Sequence, residues 1–251
     1  MNQIHSLDDI KNAFYINLEH RTDRKAHVEE QLKNMGINAT RFNAIKMENG
    51  AIGCSMSHLK LLQLAQQNKL DHILIVEDDI TFLDPELFKT QFKKFMELHN
   101  NNWDVILFGG NNMPPYENID ETCIKVSRCQ TTTGYLVNGL YINALLTNIK
   151  MGLHNLIQHP ENHKNFAIDK FWFVLQKMSR WYLITPPTVV QRQDYSDIEK
   201  RITNYQGIMQ DLDKKEMFDA IKNMNKNNNI IQQGFKTLGA TNKANMGIKF
   251  M

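Results

Sequence analysis

Cysteine is scarce in this chain, and long apolar runs are missing. Cys54, Cys123 and Cys129 are an odd number without the spacing of a metal site, which argues against a disulfide framework and a zinc site. No stretch approaches the roughly 18 apolar residues of a membrane span, and the N-terminus lacks the pattern of a signal peptide. Because unpaired thiols suit a reducing compartment, we expect a cytoplasmic protein without a membrane span.

An excess of charge of one sign is also missing. The 29 basic and 27 acidic residues are interspersed and leave a net charge of +2, whereas a dedicated nucleic-acid-binding protein usually carries a basic stripe. We therefore expect no nucleic-acid partner. The hydrophobic fraction of 42% is sufficient for a core, and the length suits one large α/β domain with or without an appendage.

Strand-like and helix-like segments alternate in the first part of the chain, which predicts an α/β fold with parallel pairing. Strands are predicted at 13–18, 40–42, 72–76, 103–108 (closed by Gly109-Gly110), 132–137 and 181–184. Helices are predicted from Thr22, from Ser55 or Ser57, from Asp84, over 139–151 and over 168–178. The chain turns polar beyond about residue 210, so we expect one domain over 1–210 and a C-terminal segment over 211–251, with a helix near 211–224 and then a loosely held tail.

An acidic triplet, Glu77-Asp78-Asp79, ends the most strongly β-like run. Ligands of open α/β sheets bind at this end of the strands, and carboxylates gathered there repel one another unless a cation neutralises them. Period-two alternation predicts the Glu77 and Asp79 side chains on one face and Asp78 on the other. Because oxygen ligands suit Mn²⁺ or Mg²⁺, Glu77 and Asp79 are the predicted metal ligands. A solvated acidic turn is the alternative.

Four motifs in order make the chain similar to glycosyltransferase family 25, which includes lipooligosaccharide and collagen galactosyltransferases. They are Tyr15-Ile16-Asn17-Leu18-Glu19 with Arg21, Asp23 and Arg24; Gly53-Cys54-Ser55-Met56-Ser57-His58; Ile73-Leu74-Ile75-Val76-Glu77-Asp78-Asp79; and Thr132-Thr133-Gly134-Tyr135-Leu136-Val137. The resemblance extends over roughly residues 13–205. It implies a GT-A fold, which is a nucleotide-binding α/β sandwich with a mostly parallel central sheet.

The resemblance also implies an activity. A family member would move a hexose, such as galactose or glucose, from a UDP-sugar to a hydroxyl of a glycan or of a hydroxylated protein side chain. The transfer would be inverting and assisted by Mn²⁺ or Mg²⁺, with lipopolysaccharide biosynthesis as one setting. GT-A enzymes often add a late histidine to the metal site, but no histidine follows residue 180 here. Gln191, Asp194 or water would take that place.

Donor-binding residues are expected after the first strand. The Asn17 amide suits a uracil or ribose edge, and Arg21 and Arg24 suit a diphosphate, because a guanidinium donates two parallel hydrogen bonds. A solvated helix start is the alternative.

Further donor contacts are expected in the two middle motifs. Gly53, Ser57 and His58 are predicted at a tight turn into a helix, whose first N–H groups would bind an anion; His58 has a structural role as its alternative. Asp78 and Thr132 complete the predicted donor-binding set, although a threonine run also simply favours a strand.

The predicted general base is Asp169, because an inverting transfer needs a group that takes the proton of the acceptor hydroxyl. A plain helix N-cap is the alternative for Asp169, and Asp194 or Asp197 would then be the base. Two other classes stay open: a non-catalytic module that binds a nucleotide sugar or glycan, and a metal-dependent phosphohydrolase.

Overall fold

The computed structural model describes residues 3–196, 198–215 and 217–221. Backbone contacts divide the chain into one compact unit that ends at Leu212 and a second that begins at Asp213. In the second unit, residues 217–221 are helical, and the predicted tail beyond them lies outside the described residues. None of the helices in the described ranges is long and apolar enough to cross a bilayer.

Strands and helices alternate through the first half of the first unit. The strands of the whole unit are β1 (Ala13–Asn17), β2 (Ala39–Asn43), β3 (His72–Glu77), β4 (Ile80–Phe82), β5 (Val105–Asn112), β6 (Glu117–Asn118), β7 (Cys123–Lys125), β8 (Cys129–Asn138), β9 (Trp181–Ile184), β10 (Val189–Gln191), β11 (Asp194–Ser196) and β12 (Arg201–Thr203). Its helices are α1 (Thr22–Met35), α2 (Gly50–Gln67), α3 (Pro85–His99), α4 (Ile142–Gln158), α5 (His163–Phe166), α6 (Ile168–Phe171), α7 (Phe173–Met178) and α8 (Gln206–Gln210).

Eight strands form the central sheet, in the order β2-β1-β3-β8-β5-β9-β7-β6. β1 pairs in parallel with β2 and β3, and β5 pairs in parallel with β9, whereas β8 lies antiparallel between β3 and β5. Strands β1, β2, β3, β5 and β9 therefore share one direction, and their carboxyl ends lie at one edge. The predicted α/β fold with a mostly parallel central sheet is confirmed.

Both faces of the sheet are buried, as the continuous apolar run of β3 requires. Leu74 and Val76 pack on the face covered by α1 and α3, and Ile73 and Ile75 pack on the face covered by α2 and α4. All four side chains are fully buried. This packing on two sides fixes the position of the carboxyl end of β3.

Helix α2 begins earlier than predicted, at Gly50 rather than at Ser55 or Ser57. The Asn49 side chain caps it by accepting hydrogen bonds from the N–H groups of Ala51 and Ile52. Gly53 consequently lies inside the helix, where a Cβ would overlap the Ile45 carbonyl oxygen. The predicted tight turn at Gly53 is wrong, because this glycine serves close packing against a loop.

Strand β5 also differs from the prediction, since it continues through Gly109 and Gly110 to Asn112. A Cβ on Gly110 would overlap the Cys129 sulfur, and one on Gly109 would lie 2.5 Å from the Val189 carbonyl oxygen. The two glycines therefore permit close approach of neighbouring segments rather than ending the strand.

Candidate active site

A cleft of about 690 Å³ opens beside the carboxyl end of β3. The three carboxylates of the acidic triplet line it, together with Arg24 from α1 and Asp169 from α6. Residues from both halves of the chain thus meet at the edge of the sheet where open α/β proteins bind their ligands.

The acidic triplet does not follow the predicted alternation of faces. Strand β3 ends at Glu77, and Asp78 and Asp79 form a turn. As a result Arg24 Nη1 lies 3.0 Å from Asp78 Oδ1 and 3.6 Å from Asp79 Oδ2. Asp78 and Asp79 therefore face the same cation, and period-two geometry fails because the chain has left the strand.

Glu77 is held by groups from α2 and β8. Its Oε1 accepts a hydrogen bond of 2.7 Å from Thr132 Oγ1, and it lies 3.2 Å from His58 Nε2 and 3.6 Å from Cys54 Sγ. Burial alone would raise the pKa of Glu77, but the hydrogen bond and charge of His58, with the hydrogen bonds of Thr132 and Cys54, together lower the pKa. Glu77 is therefore an ionised carboxylate on the cleft wall.

Among the three carboxylates of the acidic triplet, Asp79 is the least stabilised by hydrogen bonds. Its Oδ1 is buried and has no hydrogen-bond partner among the described residues, while its Oδ2 lies 3.5 Å from Gln191 Nε2. Burial, followed by repulsion from Glu77, raises the pKa of Asp79 to about 8 against the attraction of Arg24. An unsatisfied carboxylate oxygen in a cleft fits a hard divalent cation.

Two arginines join the start of α1 to the β11–β12 hairpin. Asp194 Oδ2 accepts hydrogen bonds of 2.9 Å from Arg21 Nη2 and 3.1 Å from Arg24 Nε. Burial would lower the pKa of Arg24, but Asp79 and Asp78 raise it. Arg24 thus stays charged and contacts three carboxylates, two of them in the acidic triplet.

Asn17 is buried beneath this cluster. Its Nδ2 donates to Asp78 Oδ2 at 2.8 Å, and its Oδ1 accepts from Arg41 Nε at 3.0 Å. These contacts orient Asp78 towards Arg24, so the structure shows Asn17 as a support of the acidic triplet.

Asp169 is far from the acidic triplet in sequence but lines the same cleft. Its Oδ2 accepts a hydrogen bond of 3.1 Å from the N–H of Thr131, a residue held at the unusual φ of 72°. Burial raises the pKa of Asp169, Lys170 and the Thr131 N–H oppose this, and Glu77 adds to it. The N-cap of α6 is Ala167, so Asp169 is not the plain helix cap of the alternative interpretation.

The predicted donor-binding residues divide into two groups. Arg24, Ser57, Asp78 and Thr132 line the cleft, whereas Asn17, Arg21, Gly53 and His58 are not among its lining residues. Ser57 Oγ donates a hydrogen bond to the Gly53 carbonyl and accepts one from the Ile45 N–H, each at 2.8 Å. Ser57 and Gly53 thus join α2 to the preceding loop.

Sequence reasoning missed two contacts of the site. Cys54 lies beside Glu77, and the spacing of Cys54 and His58 by four residues on one helix signals that both face the same way. The pairing of Asp194 with the arginines has no such signal, because about 170 residues separate the partners in sequence. Asp197, the other rival base, lies outside the described residues.

The fold and the cleft define an α/β protein with an acidic cleft at the carboxyl ends of its strands. Residues 46–155 match the model of glycosyltransferase family 25, described as an LPS biosynthesis protein family. This segment contains α2, the acidic triplet and β8, so the similarity to glycosyltransferase family 25 includes the carboxylates of the cleft.

Individual relatives are similar over parts of the chain. A Haemophilus influenzae protein with a glycosyltransferase name is 43% identical over 53 residues, which are 21% of this chain and 19% of that protein. A Drosophila melanogaster glycosyltransferase 25 family member is 26% identical over 167 residues, covering 53% of this chain and 26% of that protein. The matches thus span about a fifth to a quarter of the relatives' lengths.

A solved structure is also similar. It is a glycosyltransferase involved in the glycosylation of the major capsid of PBCV-1, with a TM-score of 0.45 and 15% sequence identity. The similarity covers 80% of this chain and 88% of that chain.

Proposed function

We propose that this protein is an inverting glycosyltransferase that moves a hexose, galactose or glucose, from a UDP-sugar to a hydroxyl of a glycan or a hydroxylated protein side chain, in the cytoplasm. The observation that carries the proposal is the meeting of Asp79 and Asp169 in one cleft of a chain that matches the model of glycosyltransferase family 25 over residues 46–155. Asp79 has a buried Oδ1 without a hydrogen-bond partner among the described residues, and Asp169 has a raised pKa. These are the properties of a cation ligand and of a general base.

The donor diphosphate would bind beside Arg24 and the acidic triplet. Arg24 donates hydrogen bonds to Asp78 and Asp194 in the structure. The same guanidinium edge suits two phosphate oxygens of a bound diphosphate. Asp79 and Glu77 would hold Mn²⁺ or Mg²⁺, which supplies Lewis-acid neutralisation of the departing diphosphate. Gln191 would help to orient the Asp79 carboxylate, because its Nε2 lies 3.5 Å from Asp79 Oδ2.

Asp169 would accept the proton of the attacking hydroxyl. As the acceptor oxygen bonds to the anomeric carbon, the bond from that carbon to the diphosphate oxygen breaks, and the hydroxyl proton moves to the Asp169 carboxylate. The hydrogen bond from the Thr131 N–H orients this carboxylate. Its raised pKa makes it a stronger base than an exposed aspartate.

The test combines a donor panel with one substitution. We expect a UDP-sugar to release UDP in the presence of an acceptor and Mn²⁺, and we expect Asp169→Asn to bind donor normally but to lose about 10²–10⁴-fold in transfer. Asp104→Asn is the matched control, because Asp104 pairs with Arg180 and does not line the cleft. Retained turnover in Asp169→Asn would move the base to another residue, with Asp194 as the first candidate.

The products separate the rival functions. Release of UMP would indicate a phosphohydrolase, because that reaction cleaves the diphosphate rather than the glycosidic bond. Donor binding without product in any acceptor mixture would indicate a non-catalytic module. Either result contradicts the proposed transfer.

A further inference from the structure

A second cluster of metal-ligand side chains lies outside the cleft. It consists of His99 at the end of α3, Asp120 in the loop between β6 and β7, and Cys123 at the start of β7, and we name it the His99 cluster. One ligand atom from each residue lies within 4.8 Å of the other two. None of the three lines the cleft, and β7 lies four strands from β3 in the sheet, roughly 19 Å at ordinary strand spacing.

The separation between His99 and Cys123 matches that of two ligands around a tetrahedral zinc ion. His99 Nε2 lies 3.6 Å from Cys123 Sγ, and Zn–S and Zn–N bonds at a tetrahedral angle place these two atoms about 3.6 Å apart. The sulfur lies 3.9 Å from Asp120 Oδ1. His99 Nε2 and Asp120 Oδ2 are 2.8 Å apart, so a small rotation of the carboxylate would open room for the ion.

Surrounding groups hold these three side chains in place. The N–H and Oγ1 of Thr122 donate to Asp120 Oδ1 at 2.8 and 2.6 Å. The His99 ring packs against Phe95 and Tyr182, with centroids 4.4 and 5.4 Å apart. Protein metal sites commonly hold a ligating carboxylate by hydrogen bonds and fix the orientation of a ligating imidazole in the same way.

We propose that His99, Asp120 and Cys123 form a binding site for a zinc-class divalent cation that ties the end of α3 to the β6–β7 hairpin. The His99 and Asp120 side chains are 12% and 24% exposed, so water can occupy a fourth position on the ion. The cysteine spacing gave no sign of this site, because its ligands come from a helix and a separate hairpin.

Binding has a proton balance that can be measured. Burial, with the charge of Asp120 second, raises the pKa of the Cys123 thiol to about 12, so the sulfur is protonated at pH 7 without a cation. Formation of the sulfur–metal bond must release that proton to solvent. The Cys123 thiol therefore contributes one proton for each bound ion.

Cobalt binding tests the site, since a thiolate ligand to Co²⁺ gives a sulfur-to-metal charge-transfer band in the near ultraviolet. Cys54 belongs to another group of potential ligands, with His58 and Glu77, so the experiment uses Cys54→Ser protein without a histidine tag. We expect one equivalent of Co²⁺ to produce the band, Zn²⁺ to abolish it by displacement, and Cys54→Ser/Cys123→Ser to lack it. Absence of the band in Cys54→Ser would overturn the proposal and leave an ordinary His99–Asp120 ion pair.

A second variant guards against misfolding of the Cys123 substitution. Thr122→Val keeps the side-chain shape but removes the hydroxyl that supports Asp120, so we expect Zn²⁺ affinity to fall about tenfold. Unchanged affinity would contradict the site. Zinc-edge X-ray absorption of Cys54→Ser protein should show one sulfur ligand at about 2.3 Å; a shell of nitrogen and oxygen alone would also overturn the proposal.

Discussion

Replacing Asp79 with asparagine should make the protein more stable while it removes a proposed cation ligand. The pKa of Asp79 is raised from the ordinary value of 3.8 to about 8. Between these two pH values the folded chain holds a proton that the unfolded chain releases, so stability falls as pH rises through that window. An asparagine side chain at this position does not titrate, and the variant should escape this loss.

The magnitude follows from the width of the window. At pH 7 the unfolded carboxyl is about three pH units above its pKa, and each unit corresponds to about 1.4 kcal/mol, which gives an upper limit of about 4 kcal/mol. Water in the cleft screens the Asp79 charge, and part of the destabilisation belongs to repulsion by Glu77. We therefore expect Asp79→Asn to gain about 1–2 kcal/mol in free energy of unfolding. For a chain of this size that is roughly 2–4 °C in Tm per kcal/mol.

Thermal unfolding without metal, at pH values from 5 to 8, measures the effect. The advantage of Asp79→Asn over the parent should grow with pH, and added Mn²⁺ should stabilise the parent more than the variant. Asp194→Asn is the opposing control: burial would raise the pKa of Asp194, but the Tyr195 N–H and the two arginines lower it, so this variant should lose stability at pH 7. An Asp79→Asn protein that is no more stable than the parent at pH 8 would refute the reasoning.

Two further predictions concern Arg24 and Gly53. Arg24→Lys keeps the charge but not the two-pronged donor edge, so UDP affinity measured by calorimetry should fall about tenfold; an unchanged affinity would remove Arg24 from the donor site. Gly53→Ala places a Cβ against the Ile45 carbonyl oxygen and should cost about 1–3 kcal/mol in urea unfolding. Gly207→Ala is its control, because no atom lies within 4 Å of the added Cβ; equal effects of the two substitutions would contradict the packing argument.

Short-range signals in the sequence predicted individual elements well. Asp84 caps α3 by accepting from the Leu87 N–H, and Gly36 ends α1 in the left-handed conformation at φ 74°. Both depend on side chains and backbone within one helical turn, so they can be read without knowledge of the fold. The predicted start of α2 was wrong although its signal is local too: the cap is Asn49, and the two glycines that follow it favoured a loop in the prediction.

The sequence by itself determined that three carboxylates stand at the carboxyl end of a buried strand. Only the tertiary structure decided how each is neutralised. Insertion of β8 beside β3 pairs Gly134 with Val76 and thereby brings Thr132 to Glu77, while α1 directs Arg24 to Asp78 and Asp79. Within the triplet, Asp79 alone keeps a buried oxygen without a partner among the described residues. That difference arises from contacts between segments far apart in sequence, which no local pattern of residues encodes.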